Sequence, residues 1–374
     1  MSSLSPHIPL TSSRLRVLVV DDSALYRQTV SRVLADFSDV EVVGIAKDGC
    51  DAIEKVQALQ PDLLTLDVEM PNMNGIETLR EMKRLRTSAR AIMLSSLTEA
   101  GAKVTLDALF EGAFDFIQKP TGGLVSCRGE LSDSLREKLD AFQSHQQRTR
   151  ELTQSASSLA SNPVVTSAVN PPLETPACKL VVIGLSTGGP QTLRHVLPRL
   201  DADFPVPVIV VQHMPARYTS AMASRLDETC GLAIREAAEG DSLRPGGVWI
   251  APGGQHLRVY RSAGLPTLQT TMDPAEHSCR PAVDYTLRSC VEVYGGGILS
   301  VILTGMGRDG QSGCQAVCTA GGTVFAQDES TSAVFGMPKA VIDAGLASRI
   351  LPLGKVAPAI MRHVHRHAVR RSSS

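Results

Sequence analysis

The chain has 374 residues, enough for two or three domains of about 100 to 200 residues each. Hydrophobic residues make up 43% and charged residues 20%, which is typical of globular proteins and argues against a disordered chain, a collagen-like rod or a coiled coil. The formal net charge of -1 offers no broad attraction to nucleic acid or to an anionic membrane. We therefore expect no nucleic-acid partner.

Membrane insertion and a secretory leader are also disfavoured. The longest uncharged stretch, Leu152–Leu173, contains three prolines and many Ser and Thr residues, so it is not expected to span a bilayer. No apolar run of signal-peptide type precedes Arg14. Eight scattered cysteines lack the paired spacing of a zinc site. These observations predict a cytoplasmic protein with free thiols.

The first predicted elements begin at Leu15, where short apolar runs alternate with amphipathic stretches. The runs are Leu15–Val20, Val40–Ile45, Leu63–Leu66, Ala91–Leu94 and Phe114–Ile117. Wholly apolar strands separated by helices are typical of a parallel sheet with right-handed crossovers. The pattern predicts an α/β domain over 14–130 with a five-stranded, doubly wound parallel sheet.

A polar segment over 131–177 follows this domain. We expect it to start as a helix and to continue from Gln143 as a flexible linker. Ser, Gln, Thr and Pro dominate there, and large apolar residues are few.

Strand-like runs resume after Lys179 and predict a second doubly wound α/β domain over 178–351. Two alternating segments on either side of Gly264 predict a β-hairpin inserted in it. The last residues, 352–374, predict a C-terminal helix and a basic tail rich in His and Arg. The predicted strands are Leu180–Ile183, Val206–Val211, Val248–Ile250, Ile298–Leu303 and Thr323–Ala326, and the hairpin segments are His256–Arg261 and Leu268–Met272.

Charged and polar residues stand at the ends of four strands of the first domain. In a doubly wound sheet these carboxyl ends converge in one crevice. Each residue taken singly is also explained as a helix cap or an ordinary strand end. As a set they predict a magnesium site, because clustered carboxylates need a divalent cation and a lysine to offset their repulsion. The set is Asp21 and Asp22 after the first strand, Asp67 after the third, Ser95 after the fourth and Lys119 after the fifth.

This domain resembles the response-regulator receiver domain. The motifs are VLVVDDSALYR, LLTLDVEMPNMNG, MLSS and FDFIQKP. The resemblance implies that Asp67 is the phospho-acceptor, that Asp21 and Asp22 help it to hold Mg²⁺, and that Ser95 and Lys119 form the switch. It also implies a histidine kinase as phosphodonor.

The second domain carries a serine in a glycine-rich turn. Ser186 lies in GLSTGGP between a strand and a predicted helix, which is typical of either an exposed nucleophile or a plain tight turn. A phosphate-binding P-loop is disfavoured because no Lys-Ser/Thr pair follows the glycines. His213 and Asp309 follow two other strands of the same sheet. A serine, a base and a carboxylate at three strand ends predict nucleophilic catalysis.

The order Ser, His, Asp along the chain differs from that of α/β-hydrolases, so that fold is a poor match. The glycines around Met306 leave backbone amides open to a ligand. The amides of Met306 and Thr187 are therefore candidate oxyanion donors.

The second domain resembles the catalytic domain of chemotaxis protein-glutamate methylesterases. The motifs are VIGLSTGGP, VVQHMP, GGVWIAPGGQH, CRPAVDYTLRS, LTGMGRDG and FAQDESTSAVFGMPKA. The resemblance implies phosphorylation-activated hydrolysis of γ-glutamyl methyl esters on membrane chemoreceptors, with Ser186 as nucleophile, His213 as base and Asp309 as its orienting residue. It allows glutamine deamidation, and we expect no cofactor at the esterase site.

Two alternatives belong to other functional classes. A phospho-switched binding module would use Ser186 only as part of a turn and would release no methanol. A DNA-binding response regulator would need a basic helix-turn-helix after the receiver, and none is visible in the sequence.

Overall fold

The computed structural model describes residues 14–96, 98–120, 128–158 and 176–369, with side chains not described for 152–158 and 367–369. The chain folds into two compact units. The first comprises Met1–Ser96 and Phe116–Lys138, and the second comprises Leu97–Asp115 and Leu139–Ser374. The segment before Arg14, the later part of the predicted linker and the end of the basic tail lie outside the described residues. The domain limits at 130, 177 and 351 stay predictions.

The five-stranded sheet contains the five strands that the sequence predicts. Its order is β2-β1-β3-β4-β5, and β1 pairs in parallel with both β2 and β3. The chain reverses its direction of winding between β1 and β3, so their carboxyl ends flank the crevice of a doubly wound sheet. The strands are β1 (Leu15–Val20), β2 (Val40–Ala46), β3 (Leu63–Asp67), β4 (Arg90–Ser95) and β5 (Asp115–Gln118).

Side-chain caps begin the helices that follow the first four strands. For example, Asn74 accepts from Glu77 N–H, and the Glu77 side chain accepts from Asn74 N–H. Such reciprocal capping satisfies amides that a helix start leaves unpaired. The helices are α1 (Ala24–Ala35), α2 (Gly49–Leu59), α3 (Gly75–Arg84) and α4 (Glu99–Glu111).

The helix after β5 is longer than the sequence analysis predicts. This helix, α5, runs over Arg128–Ser158 and therefore extends past Gln143, where we placed the start of the linker. The linker was predicted from many Ser, Gln, Thr and Pro residues and few large apolar ones, but the four Gln and two Arg residues between Gln143 and Ser158 are good helix formers.

The seven-stranded sheet has the order β14-β13-β12-β6-β7-β9-β8. Its pairings are parallel, and the chain changes its direction of winding between β6 and β12. That change places the carboxyl ends of these two strands at the topological switch point. The strands are β6 (Leu180–Leu185), β7 (Val208–Gln212), β8 (Ala233–Glu236), β9 (Gly247–Ile250), β12 (Ile298–Ile302), β13 (Thr323–Gln327) and β14 (Arg349–Leu351).

The two edge strands, β8 and β14, were not predicted. Both are short and carry arginine, which is typical of edge strands but gives no apolar run to detect. The predicted hairpin is present as β10 (His256–Ser262) and β11 (Leu265–Thr271), which pair antiparallel.

Helices pack on the second sheet around a buried apolar core that includes Val182, Val211, Leu287 and Ile302. They are α6 (Gly189–Val196, followed by a 3-10 turn over Leu197–Arg199), α7 (Tyr218–Asp227), α8 (Val283–Tyr294), α9 (Gln311–Thr319), α10 (Met337–Asp343) and α11 (Leu353–Val369). In the part of the chain that the structure describes, no helix is both long enough and apolar enough to cross a bilayer.

Candidate functional site

The first site is an acidic pocket at the carboxyl end of the five-stranded sheet. Asp21 and Asp67 are buried and Asp22 is exposed, and one carboxylate oxygen from each lies within 4.8 Å of the others. Lys119 Nζ lies 2.8 Å from Asp21 Oδ2 and 2.8 Å from Asp67 Oδ2. The structure therefore brings together these four residues, which the sequence separates by up to 98 positions.

The charges in this pocket do not balance. Burial raises the pKa of Asp67 to about 6, and the nearby charge of Asp21 adds to this effect against the attraction of Lys119. Burial works against the charge of Lys119 as well, but the two carboxylates hold its pKa above the ordinary value. Three clustered carboxylates with one lysine fit a hard divalent cation such as Mg²⁺, which takes oxygen ligands.

Ser95 is fully buried at the end of β4. Its carbonyl oxygen accepts from Lys119 N–H at 2.7 Å, so the two predicted switch residues are joined through the backbone. Tyr26, which was not predicted as a site residue, has its ring centre 4.6 Å from Lys119 Nζ. A ring face attracts a cation, but a tyrosine in α1 gives no sequence signal for this contact.

The second site lies at the carboxyl end of the seven-stranded sheet. Ser186 follows β6, and its N–H donates to Thr304 O at 2.9 Å. Gly188 has a φ of +78°, and a Cβ there would lie 2.6 Å from Ala333 Cβ, so both conformation and space require glycine. The predicted turn is present, but Ser186 is only 8% exposed, less than an exposed nucleophile would be.

His213 and Asp309 are in direct contact in this site. His213 N–H donates to Leu185 O at 3.1 Å, which fixes the histidine beside the end of β6. Its ring Nε2 lies 2.7 Å from Asp309 Oδ2. Gln212, missed by the sequence analysis, adds a further tie, since Gln212 Nε2 donates to Ser186 O at 2.9 Å and to His213 O at 3.0 Å.

Backbone amides hold the Asp309 carboxylate from several sides. Val283 N–H donates to Oδ2 at 2.6 Å, while Asp284 N–H and Gly310 N–H donate to Oδ1 at 2.9 Å each. Val283 and Asp284 begin α8, where unpaired amides and the helix dipole favour a negative charge. The contact between Asp309 and these amides could not be predicted from the sequence, because the amides belong to α8 and are distant from Asp309 along the chain.

These contacts favour the ionised forms of both His213 and Asp309. Burial alone would raise the pKa of Asp309, but the hydrogen bond with His213 and the α8 amides hold it below the ordinary value. Burial alone would lower the pKa of His213, yet hydrogen bonds with Asp309 and Cys279 raise it to about 9. The pair therefore favours an imidazolium beside a carboxylate.

Ser186 and His213 share the crevice, but no hydrogen bond joins their side chains among the described residues. The second ring nitrogen of His213, Nδ1, lies 3.5 Å from Cys279 Sγ instead. Cys279 is half-buried and was not predicted as a site residue. Nothing in its spacing from the other site residues distinguishes it from the other free cysteines.

The two oxyanion candidates flank Ser186. Thr187 follows it directly and is buried, and its carbonyl oxygen accepts from Thr304 Oγ1 at 2.9 Å. Met306 follows Gly305, where a Cβ would lie 2.9 Å from Ser186 Cβ. Any side chain at position 305 would therefore press on Ser186.

A second cluster adjoins Asp309, comprising His277 and Asp284, whose ligand atoms lie within 4.8 Å of it. Asp284 Oδ1 accepts from Gly313 N–H at 2.6 Å, and Oδ2 lies 3.0 Å from His277 Nε2. The carboxylate oxygens of Asp284 and Asp309 thus already have N–H donors, an arrangement that suits a structural network better than a metal centre.

Comparison with known proteins identifies both halves of the chain. The CheB methylesterase family matches residues 181–360, and the response regulator receiver domain matches residues 17–124. A protein-glutamate methylesterase/protein-glutamine glutaminase of Thermotoga maritima is 42% identical over 348 residues, covering 93% of this chain and 98% of that protein. One from a Nocardioides species is 44% identical over 357 residues, covering 94% and 96%.

Among solved structures, the Thermotoga maritima CheB methylesterase catalytic domain is 44% identical with a TM-score of 0.49, and the match covers 50% of this chain and 99% of that one. The matches to these two full-length relatives cover 93% and 94% of this chain. With a receiver domain and a CheB methylesterase domain in one chain, this protein belongs to the protein-glutamate methylesterase/protein-glutamine glutaminase family.

Proposed function

We propose that this chain hydrolyses γ-glutamyl methyl esters on chemoreceptors, with Ser186 as nucleophile, His213 as general base and Asp309 as the residue that orients the base. Its family establishes the class of enzyme: the chain is a phosphorylation-regulated methylesterase of chemotaxis. The 2.7 Å contact between His213 Nε2 and Asp309 Oδ2, beside Ser186, is the main support for the residue roles.

The contacts of His213 define how the proton moves. Because Asp309 engages Nε2, Nδ1 is the nitrogen that accepts the hydroxyl proton of Ser186. Ser186 Oγ attacks the ester carbonyl, and the amides of Met306 and Thr187 receive the negative oxygen. The imidazolium then protonates the departing methoxide, so methanol leaves and an acyl-enzyme remains.

Deacylation uses the same residues. His213 accepts a proton from water, the hydroxide attacks the acyl carbonyl, and Ser186 regains its proton as the receptor leaves with an unmodified glutamate side chain. A glutamine side chain would form the same acyl-enzyme with ammonia as leaving group. In these steps the α8 amides and His213 offset the charge of Asp309.

The receiver domain implies Mg²⁺-dependent phosphorylation. We propose that Asp67 accepts the phosphoryl group from a histidine kinase, and that Asp21, Asp22 and Asp67 hold the ion. When bound, Mg²⁺ supplies positive charge that offsets the transferring phosphoryl group. Lys119, 2.8 Å from Asp67 Oδ2, is positioned to contact the phosphoryl oxygens, and Ser95 is positioned to respond.

Methanol release from a methylated chemoreceptor tests the esterase assignment. Ser186→Ala should remove nearly all of the activity, and Ser224→Ala, at an exposed serine of α7, is the matched control. Full activity in a folded Ser186→Ala variant would exclude Ser186 as nucleophile. If neither wild type nor the control released methanol while both bound receptor, the binding-module alternative would replace the enzyme assignment for this chain.

A further inference from the structure

The nitrogen of His213 that must serve Ser186 is in contact with a different nucleophile. Cys279 Sγ lies 3.5 Å from His213 Nδ1, within the hydrogen-bond range for sulfur. On its other side, the imidazole contacts Asp309 at 2.7 Å. Cys279, His213 and Asp309 therefore form a thiol–imidazole–carboxylate cluster, an arrangement that activates a cysteine.

A short turn places Cys279 in this cluster. Glu276 and Cys279 exchange backbone hydrogen bonds of 3.1 and 2.8 Å. The two residues between them, His277 and Ser278, have φ values of +51° and +60°, as in a type I′ turn. After the turn, Arg280 Nη1 donates to Met272 O and Asp273 O. These contacts hold the thiol in place against the imidazole.

The charge state of His213 supports activation of the thiol. Burial opposes a charged imidazole, but the hydrogen bonds with Asp309 and Cys279 raise the pKa of His213 to about 9. The ring is therefore mainly protonated at neutral pH. An imidazolium beside a sulfur stabilises the thiolate, which is the reactive form of cysteine.

Most other described cysteines lie in surroundings that suppress reactivity. Burial raises the pKa of the thiol at Cys178 and at Cys314 to about 12, and it raises the pKa of Cys230, Cys290 and Cys318 as well. Cys50 differs, because it is exposed and its sulfur contacts no imidazole among the described residues. Cys50 therefore serves as the reference for a thiol that is accessible but is not activated by a histidine.

We propose that Cys279 is a covalent modification site of the active centre, at which a soft electrophile or a hydroperoxide reacts and thereby stops ester hydrolysis. The modified sulfur occupies the place beside His213 Nδ1 that the Ser186 hydroxyl must reach. The assignment of the modification site is independent of the proposed catalytic roles, whereas the loss of hydrolysis rests on them.

The chemistry balances with reagents of either class. With iodoacetamide, the sulfur forms a bond to the methylene carbon, iodide leaves with its electron pair, and the thiol proton remains on His213. With hydrogen peroxide, the S–O bond forms as the O–O bond breaks, so the sulfur is oxidised to sulfenic acid and the peroxide is reduced to water. A dithiol such as dithiothreitol reduces the sulfenic acid back to the thiol.

The test is the rate of iodoacetamide labelling at each cysteine of the full-length chain at neutral pH, followed by mass spectrometry. Contact with the His213 ring should make Cys279 react about tenfold or more faster than Cys50. Accessibility alone would give the reverse order. In His213→Gln, labelling at Cys279 should slow by a similar factor while labelling at Cys50 stays the same.

A parallel measurement follows methanol release from a methylated receptor. In wild type and in Cys50→Ser, activity should fall in proportion to the labelled fraction of Cys279. Cys279→Ser, normalised to its own untreated rate, should resist both iodoacetamide and peroxide. Dithiothreitol should restore peroxide-treated wild type.

Two results would overturn the proposal: labelling of Cys50 ahead of Cys279, or an unchanged rate at Cys279 in His213→Gln. Full esterase activity after complete labelling of Cys279 would refute the block of hydrolysis. Rapid, His213-dependent labelling in a protein that releases no methanol before treatment would uphold the modification site and refute the proposed catalytic roles instead.

Discussion

At the scale of single residues, each site depends on side chains whose properties differ from those of the free amino acids. Burial and a neighbouring carboxylate raise the pKa of Asp67, whereas hydrogen bonds raise the pKa of His213 against the effect of burial. Perturbed titration is typical of functional groups. The contacts that cause these pKa shifts lead to predictions for activity and for its dependence on pH.

Ser186 and His213 should act as one unit. Ser186→Ala and His213→Ala should each lower kcat by about three to six orders of magnitude, and the double variant should be little worse than either, because each change removes the same step. Methanol release from methylated receptor measures this, with circular dichroism to confirm folding. Additive losses in the double variant would show that the two residues do not share a mechanism.

The pH profile should follow the protonation of His213. A general base acts only when neutral, so kcat/KM should rise with pH through about 9, the raised pKa. The free energy of unfolding should change in the opposite direction. The ionised His213–Asp309 pair contributes fully to it below pH 6.5, and that contribution is lost as the pH rises through about 9. Removing the partner carboxylate in Asp309→Asn should move the rise of kcat/KM to lower pH. A flat profile between about pH 7 and 9 would contradict the assignment.

At the scale of secondary-structure elements, the start of α8 and the loop after β12 depend on each other. The α8 amides of Val283 and Asp284 donate to the Asp309 carboxylate at 2.6 and 2.9 Å, although Ala282 at the helix start provides no side-chain cap. Both oxygens of Asp309 therefore cap a helix, and Oδ2 also contacts His213, the base of the proposed mechanism.

This double role allows stability and catalysis to be separated. Asp309→Ala removes the cap and should lower the free energy of unfolding of the second unit by about 1–2 kcal/mol or more. Asp309→Asn keeps an acceptor oxygen and should lose less stability, while turnover should remain low because the charge beside His213 is gone. Urea unfolding and methanol release on the same samples measure the two effects. Equal stability losses in both variants would argue against capping by the carboxylate.

At the scale of the whole molecule, one chain joins a phosphorylation chemistry to an ester hydrolysis. Each site lies within one compact unit, so regulation requires that a change at Asp67 alters the conformational equilibrium of the full chain. A phosphoryl group adds a charge of about -1.5 to -2 and new acceptor oxygens beside Lys119, which is a large local change.

Phosphorylation should therefore raise methanol release by the full-length chain. Mg²⁺ with a small-molecule phosphodonor should give an acid-labile acyl phosphate and a faster rate, and both should be absent without Mg²⁺ or in Asp67→Ala. Asp36→Ala, at an exposed residue of the same unit, is the control variant. Activation of Asp67→Ala to the wild-type level would place the acceptor elsewhere.

The class and order of both α/β units follow from the amino-acid sequence, because buried parallel strands must be apolar and their carboxyl ends carry the polar residues. Asp67, Lys119, Ser186, His213 and Asp309 could be selected on that ground alone. The extension of α5, the short edge strands β8 and β14, and the depth at which Ser186 is buried could not be read in this way. The composition of a short segment does not show how that segment packs against the rest of the protein.

Which atoms meet depends on how the chain packs in three dimensions. Asp309 is separated by 96 positions from His213, and 26 positions separate it from the α8 amide of Val283. Cys279 reaches His213 Nδ1 through a turn with two positive φ values, which no apolar pattern encodes. Hydrogen bonds of this kind depend on orientation and on distances near about 3 Å, and these are set only when separate strands, helices and loops pack together.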